Sequence, residues 1–488
     1  MPSYLRRKII AIGFSLLCLV GWYGIYLYPT LDTDFGWHYR CGEQFLTTGS
    51  WCQVNRYSYY LPNYYWGYST LVYDLMLVLV YRLSGFVGTM HFGALIMTTL
   101  SYLWYRRYGR VFLVSYWIFF IGAAGLLSLG FRAQILTLFY AGLFWLLLPF
   151  EVTKRPAEFF RNLALLMLFT IWANSHPGVV LFLGFYGLFC LLKIFERRYQ
   201  YFIYGPLAVL STLLTFQRGA LFSEAFLHYQ RDLSKLIAEW TAPSLPAQIA
   251  ILVSFAIVSY LIYSKKSAVL SKKVFFFVVL LIMTLLTYNA KRQLPLFSML
   301  LLVIAQEYSL ISTVIQTFRL KQALLIQSSV GLLFLLGLIN FSRATQVRNS
   351  LKWYCGHAFV KLPCQSLRKL PAFPKRLFTS YEWGGFLIWQ RPETMVFVDG
   401  RMPAWKTPNG ESPYTTYLKL IQAQEGWEKQ LAAYQTEALL IPQGTFLDLE
   451  LLKGSDKWRE VYRDDLAAYY LPKTTSVDKS VPPDDQKR

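Results

Sequence analysis

The sequence predicts a polytopic α-helical membrane protein, with about eleven transmembrane helices and a small C-terminal α/β extracytoplasmic domain. Three observations carry this expectation. Apolar runs long enough to span a bilayer, which takes about 20 residues, recur through residues 9–343. Of 488 residues, 55% are hydrophobic and only 15% charged, against about 25% charged in an ordinary soluble protein. After residue 345 the apolar runs shorten to strand length and alternate with amphipathic stretches.

The net charge of +21 would suggest nucleic acid in a soluble protein. Here the basic residues cluster in short loops between apolar runs, as the positive-inside bias requires. No basic–aromatic nucleic-acid motif stands out, so no nucleic-acid partner is expected.

Arg6, Arg7 and Lys8 precede the first apolar run and place the N-terminus in the cytoplasm. Span 1 (9–28) lacks a small-residue cleavage site and reads as a retained span. It delivers a first outer loop, 29–86, that opens on "LDTDFGWHYRCGEQF". Within that loop, residues 69–86 read as a helix lying on the outer surface, because Asp74 and Arg82 would be costly at bilayer depth. Ten further spans follow at 87–104, 111–129, 131–150, 159–174, 177–195, 202–216, 246–264, 273–289, 294–310 and 326–343. With this threading, "RRYGR" (106–110), Lys154–Arg155, Arg197–Arg198, Lys265–Lys266, Lys272–Lys273 and Arg319–Lys321 all fall inside. The expected organisation is a membrane domain at 1–344, an outer α/β domain at 345–473 and a disordered tail at 474–488. The location is the cytoplasmic (inner) membrane.

The threading is set by loop charge alone, yet it gathers the unusual polar residues on the outer side. Asp32, Asp34, His38, Arg40 and Glu43 lie in the first outer loop. Arg132 heads a span in "GFRAQ", and His176 sits in the turn "WANSHPG". Glu239 lies in "AEWTAPS", and Lys291 and Arg292 cap a span in "NAKRQLP". The span middles hold almost no charge, with His91 the main polar exception, whereas an ion-coupled transporter usually carries mid-membrane carboxylates. Each residue also has a structural reading. The cations could anchor span ends at head groups, His176 could cap its turn, Glu239 could pair with an arginine, and Asp32 could be a turn residue. Asp34, among Trp37, His38 and Arg40, is the hardest to explain that way.

Cys41 and Cys52 share the first outer loop, and Cys355 and Cys364 share the segment after the last span. Two local disulfides suit an oxidising outer compartment, although free thiols fit the same spacing. In the C-terminal region, "TSYEWGGFLIWQRPETMVFVDGRMPAW" is the most individual stretch. Gly384 and Gly385 mark a tight approach or a turn. Asp399 and Arg401 either face a ligand or pair with each other.

A first span, an outer loop opening on acidic residues, a surface helix and a span ending in "YRRYG" together resemble the GT-C class of membrane glycosyltransferases, over roughly residues 1–310. "DTDFGWHYRCGEQFLTTGSW", with "FRAQ", "NSHPG", "AEW", "RQLPLF" and "YEWGGFLIW…VFVDGR", also resembles a family of uncharacterised bacterial multi-spanning proteins along nearly the whole chain. The second resemblance brings no reaction with it. The first implies sugar transfer from a polyprenyl-phosphate-linked donor to a glycan or protein acceptor. It places the catalytic carboxylate on Asp34, with Asp32 as the alternative. The substrate-binding set would be His38, Arg40, Glu43, Arg132, His176, Glu239, Lys291 and Arg292. The resemblance admits a divalent metal, Mg or Mn, although "DTD" departs from the Asp-Glu pair of some relatives. The competing expectations are a non-catalytic GT-C-like protein that binds lipid-linked glycan or acts as an assembly partner, and, last, a flippase.

Overall fold

The computed structural model describes residues 12–14, 22, 33–109, 111–127, 131–150, 155–215, 217–230, 237–265, 268–317, 321–344, 348–357 and 360–473. Most of span 1, Asp32 and the 474–488 tail lie outside the described residues. The chain divides into two compact units. One comprises 1–32, 41–52 and 66–359; the other comprises 33–40, 53–65 and 360–488. The second unit therefore draws two pieces of the expected first outer loop into the C-terminal part.

The first unit is helical. Among its described helices, Leu71–Tyr108, Leu245–Ser264 and Leu270–Asn289 are long and apolar enough to cross a membrane. Ala133–Leu147, Val179–Phe195 and Tyr201–Thr212 are shorter apolar helices. The helix at Leu71–Tyr108 is broken at Gly85, where φ is +60° and ψ −150°. Only glycine adopts that conformation without strain. Asn349 repairs the break: its Oδ1 accepts from the Val87 N–H at 3.1 Å, and its Nδ2 donates to Ser84 O at 3.0 Å. One side chain thus satisfies a backbone N–H and a backbone carbonyl at the kink.

Asp74, expected on a surface helix, is fully buried. Its carboxylate accepts from the Tyr68 hydroxyl at 2.6 Å and from Thr70 Oγ1 at 3.3 Å, which is how a buried carboxylate is tolerated. Lys272, expected as a loop charge, is buried too and pairs with Glu307 at 2.8 Å. Further ion pairs at helix ends join Arg198 to Glu158 at 3.1 Å and Lys193 to Glu196 at 2.8 Å. Aromatic packing fills the space between helices, with Trp145, Phe150, Phe182, Phe189, Phe275 and Phe276 in mutual ring contact. The Cys41–Cys52 disulfide closes a loop within this unit.

The second unit is built on a five-stranded sheet of order β2-β1-β3-β5-β4. The strands are β1 (Arg376–Thr379), β2 (Met395–Val396), β3 (Ala438–Pro442), β4 (Trp458–Arg463) and β5 (Ala467–Pro472). β1 pairs parallel with β2 and β3, and β5 pairs antiparallel with β3 and β4. β3 is the central strand; Ala438–Ile441 are all fully buried, as a continuous apolar run covered on both faces should be. The helix Tyr381–Gln390 connects β1 to β2. The β2 edge is covered by the first-loop segment. Val396 N–H donates to Tyr57 O at 3.0 Å, and Tyr59 N–H donates to Val396 O at 3.1 Å. This pairing satisfies an edge that would otherwise be open.

Candidate functional site

Each unit assembles its own set of the residues singled out in the sequence. In the first unit, two short 3-10 turns, Ala238–Trp240 and Lys291–Gln293, lie against each other. The Lys291 N–H donates to Thr241 O at 3.0 Å and ties them together. Arg132, just before the helix Ala133–Leu147, forms an ion pair with Glu239. The Arg292 guanidinium lies 4.3 Å from the centre of the Trp240 ring, a cation–π contact. Burial raises the Glu239 carboxyl, but Arg132, Arg292 and Lys291 outweigh it and hold the group below the usual carboxylate range. Three cations therefore gather around one carboxylate, and the cluster suits an anion such as a phosphate.

His176 sits in the turn after the helix Arg155–Ala173. Its Nδ1 accepts from the Gly178 N–H at 3.0 Å and lies 2.8 Å from Thr137 Oγ1. Trp172 Nε1 donates to the same Thr137 oxygen at 3.1 Å. A ring nitrogen that accepts from a backbone N–H carries no proton, so in the neutral ring the hydrogen resides on Nε2. His176 thus closes its turn through Nδ1. Thr137 and Trp172 carry no sequence signal, since a threonine and a tryptophan in apolar helices look like packing.

In the second unit the opening motif meets the "YEWGGF" and "VFVDGR" stretches. Asp34, half-buried, stands at the start of the helix Phe35–Thr48, where its carbonyl accepts from the His38 N–H at 3.2 Å. Its carboxylate lies against the Cα of Gly400, and a Cβ there would overlap Asp34 Oδ1. Gly36 and Gly385 meet backbone to backbone, each leaving no room for a side chain. Gly384 likewise has no room for a side chain, because a Cβ there would meet Val398 O. Asp399 and Arg401 pair with each other: Nε donates to Oδ1 and Nη2 to Oδ2, both at 2.7 Å, with neither side chain exposed. Tyr381, half-buried, opens the 381–390 helix. Burial pushes its phenol well above the tyrosine range, and Asp34, Tyr414, Asp399 and Glu382 add to the shift. Asp34, Asp399 and Glu382 thus all act on the one phenol of Tyr381; Tyr381 and Glu382 carry no signal in the sequence that singles them out.

The remaining candidates have local tasks. Arg40 donates through Nε to Ile388 O at 3.3 Å and through Nη2 to Trp389 O, capping the C-terminal carbonyls of the 381–390 helix. His38 is buried, its ring stacked on Trp37 at 3.5 Å between centres. Glu43 belongs to the first unit, where it pairs with Arg82 at 2.9 Å on an exposed surface. Such a pair contributes about 0–1 kcal/mol. The described residues do not offer a ligand set for a divalent metal. Both Asp399 oxygens are engaged by Arg401, and no group of three His, Cys, Asp or Glu converges among the described residues.

No protein-family model matches the chain, and no curated protein matches it by sequence. Its fold is similar to that of ArnT from Cupriavidus metallidurans bound to undecaprenyl phosphate. The TM-score is 0.52 at 10% identity, and the match covers 94% of this chain and 97% of that one. The apo form of ArnT matches with a TM-score of 0.53 at 10% identity, covering 96% and 98% of the two chains. The oligosaccharyltransferase AglB from Archaeoglobus fulgidus, in complex with an inhibitory peptide and a dolichol-phosphate, matches with a TM-score of 0.51 at 10% identity, covering 95% and 74%. These are GT-C glycosyltransferases, and the chain has the GT-C fold.

Proposed function

We propose that the chain is a GT-C-type glycosyltransferase. It moves a hexosyl or pentosyl group from a polyprenyl-phosphate-linked donor to a glycan or protein acceptor at the outer face of the cytoplasmic membrane. The observation that carries the reading is the end-to-end likeness of fold to an enzyme holding undecaprenyl phosphate. The cationic cluster of the first unit supports it chemically.

In this reading the bond between the sugar anomeric carbon and the phosphate oxygen breaks, and a bond from the acceptor heteroatom to that carbon forms. Asp34 takes the acceptor proton, a task for a positioned carboxylate. Taken by itself, the first unit's Arg132, Lys291 and Arg292 cluster supplies the positive charge that a polyprenyl phosphate requires. Glu239 holds Arg132 in place until the phosphate competes for it, and the Trp240 ring holds Arg292. The Nε2–H of His176 donates to a donor oxygen.

The test is release of polyprenyl phosphate by the purified protein in nanodiscs, supplied with a panel of polyprenyl-phosphate sugars. Asp34→Asn is expected to lower release by about 100-fold or more while the protein stays folded. Undiminished release by that variant would sink the assignment of the carboxylate. Tight binding without release by the wild-type protein would point to a non-catalytic binder of lipid-linked glycan.

A further inference from the structure

We infer that Gly400 is a positioning residue for Asp34, so that the C-terminal part of the chain sets the geometry of the candidate catalytic carboxylate; this rests on the reading of Asp34 given above. The contact lies within the second unit, which holds both the 33–40 segment and the C-terminal residues.

The turn carrying Gly400 is fixed from both sides. Asp399 and Arg401 flank it and are joined by two side-chain hydrogen bonds, and the Arg401 N–H also donates to Asp399 Oδ1 at 3.0 Å. Arg401 Nη2 further donates to Asn55 Oδ1 at 3.0 Å. A buried, bidentate pair of this kind leaves the turn little freedom. Asp34 is fixed in turn by its backbone. Gly385 leaves room for Thr33 O, and Gly36 for Gly385 O, so the 33–36 segment lies directly on the 381–390 helix. With both backbones held, the carboxylate rests against the Cα of Gly400. Gly400 has no positive φ to accommodate. Its lack of a side chain is therefore not a backbone requirement; the space is taken by Asp34 Oδ1. A methyl group there would have to displace the carboxylate.

A double-mutant cycle on the full chain in nanodiscs tests this without depending on turnover. Gly400→Ala is expected to lower the thermal unfolding midpoint in the wild-type background. In the Asp34→Ala background, where Cγ and both oxygens are gone, the same change is expected to have little effect. Equal shifts in the two backgrounds would overturn the inference. Should Gly400→Ala alone fail to fold, the Asp34→Ala/Gly400→Ala protein is expected to recover folding, and its failure to do so would equally overturn it. In polyprenyl-phosphate release, Gly400→Ala is expected to lower kcat by about 100-fold, as a displacement of about 1 Å does, with KM for the donor nearly unchanged. A rise in KM at constant kcat would contradict a positioning role. A chain that is inactive throughout but shows the stability coupling would retain the contact and discard the transferase reading.

Discussion

Glu224 allows the electrostatics of the first unit to be checked quantitatively. It lies in the helix Ala220–Gln230, is 7% exposed, and accepts a hydrogen bond from the backbone N–H of Gly67. Burial raises its carboxyl, the Gly67 bond lowers it less, and the net result is a group pushed up to about 7 from 4.5. A raised carboxyl favours the protonated form in the folded state. Stability is therefore full below about pH 4.5 and falls as the pH rises through 7, after which the loss is complete. At about 1.36 kcal/mol per pH unit the loss is on the order of 3 kcal/mol. Glu224→Gln retains the acceptor for Gly67 and removes the charge. Thermal unfolding in nanodiscs should show the variant equal to wild type near pH 4.5 and more stable at pH 8. For a unit of this size, about 2 °C per kcal/mol or less makes the gain on the order of 5 °C. A difference that does not change with pH, or a Gln variant less stable at pH 8, would refute the argument.

Two further outcomes follow from the same reasoning. Glu239 is depressed, so its pairing stabilises the protein above the ordinary carboxylate range and is lost as the pH falls through its folded value. Arg132→Met is expected to cost about 1–3 kcal/mol at pH 7, with the difference from wild type narrowing in unfolding experiments below about pH 4. Gly85→Ala combines a strained positive φ with a Cβ 2.6 Å from the Asn349 side chain. It is expected to destabilise by about 1–3 kcal/mol, and amide exchange of Val87 and its neighbours should quicken. Unchanged protection there would show that Asn349 does not hold the kink.

Much of the chemistry is legible in the linear order of residues. Twenty-residue apolar runs need no partner to be recognised, because a bilayer imposes its thickness on each of them. A glycine pair in "EWGGF" announces a close approach, and the structure supplies one at Gly384 and Gly385. Loop residues such as Arg132, Glu239 and Arg292 stand out because charge is scarce elsewhere. Local composition does not say which distant groups meet. Asp74 looks like a surface charge until Tyr68 and Thr70 are seen to satisfy it. Lys272 looks like a loop cation until Glu307 is found beside it.

The sequence by itself determined that this chain carries apolar runs long enough to cross a bilayer, and which ionisable residues lie outside them. Only the tertiary structure decided the partners. Arg132 finds Glu239 across 107 residues, and Arg40 reaches Trp389 across 349. It also decided that Thr33–Arg40 and Gln53–Tyr65 join the C-terminal unit. The physical reason is that apolar periodicity fixes what an element buries, whereas an ion pair or a glycine contact is specified jointly by two backbones, and neither segment carries the register of the other.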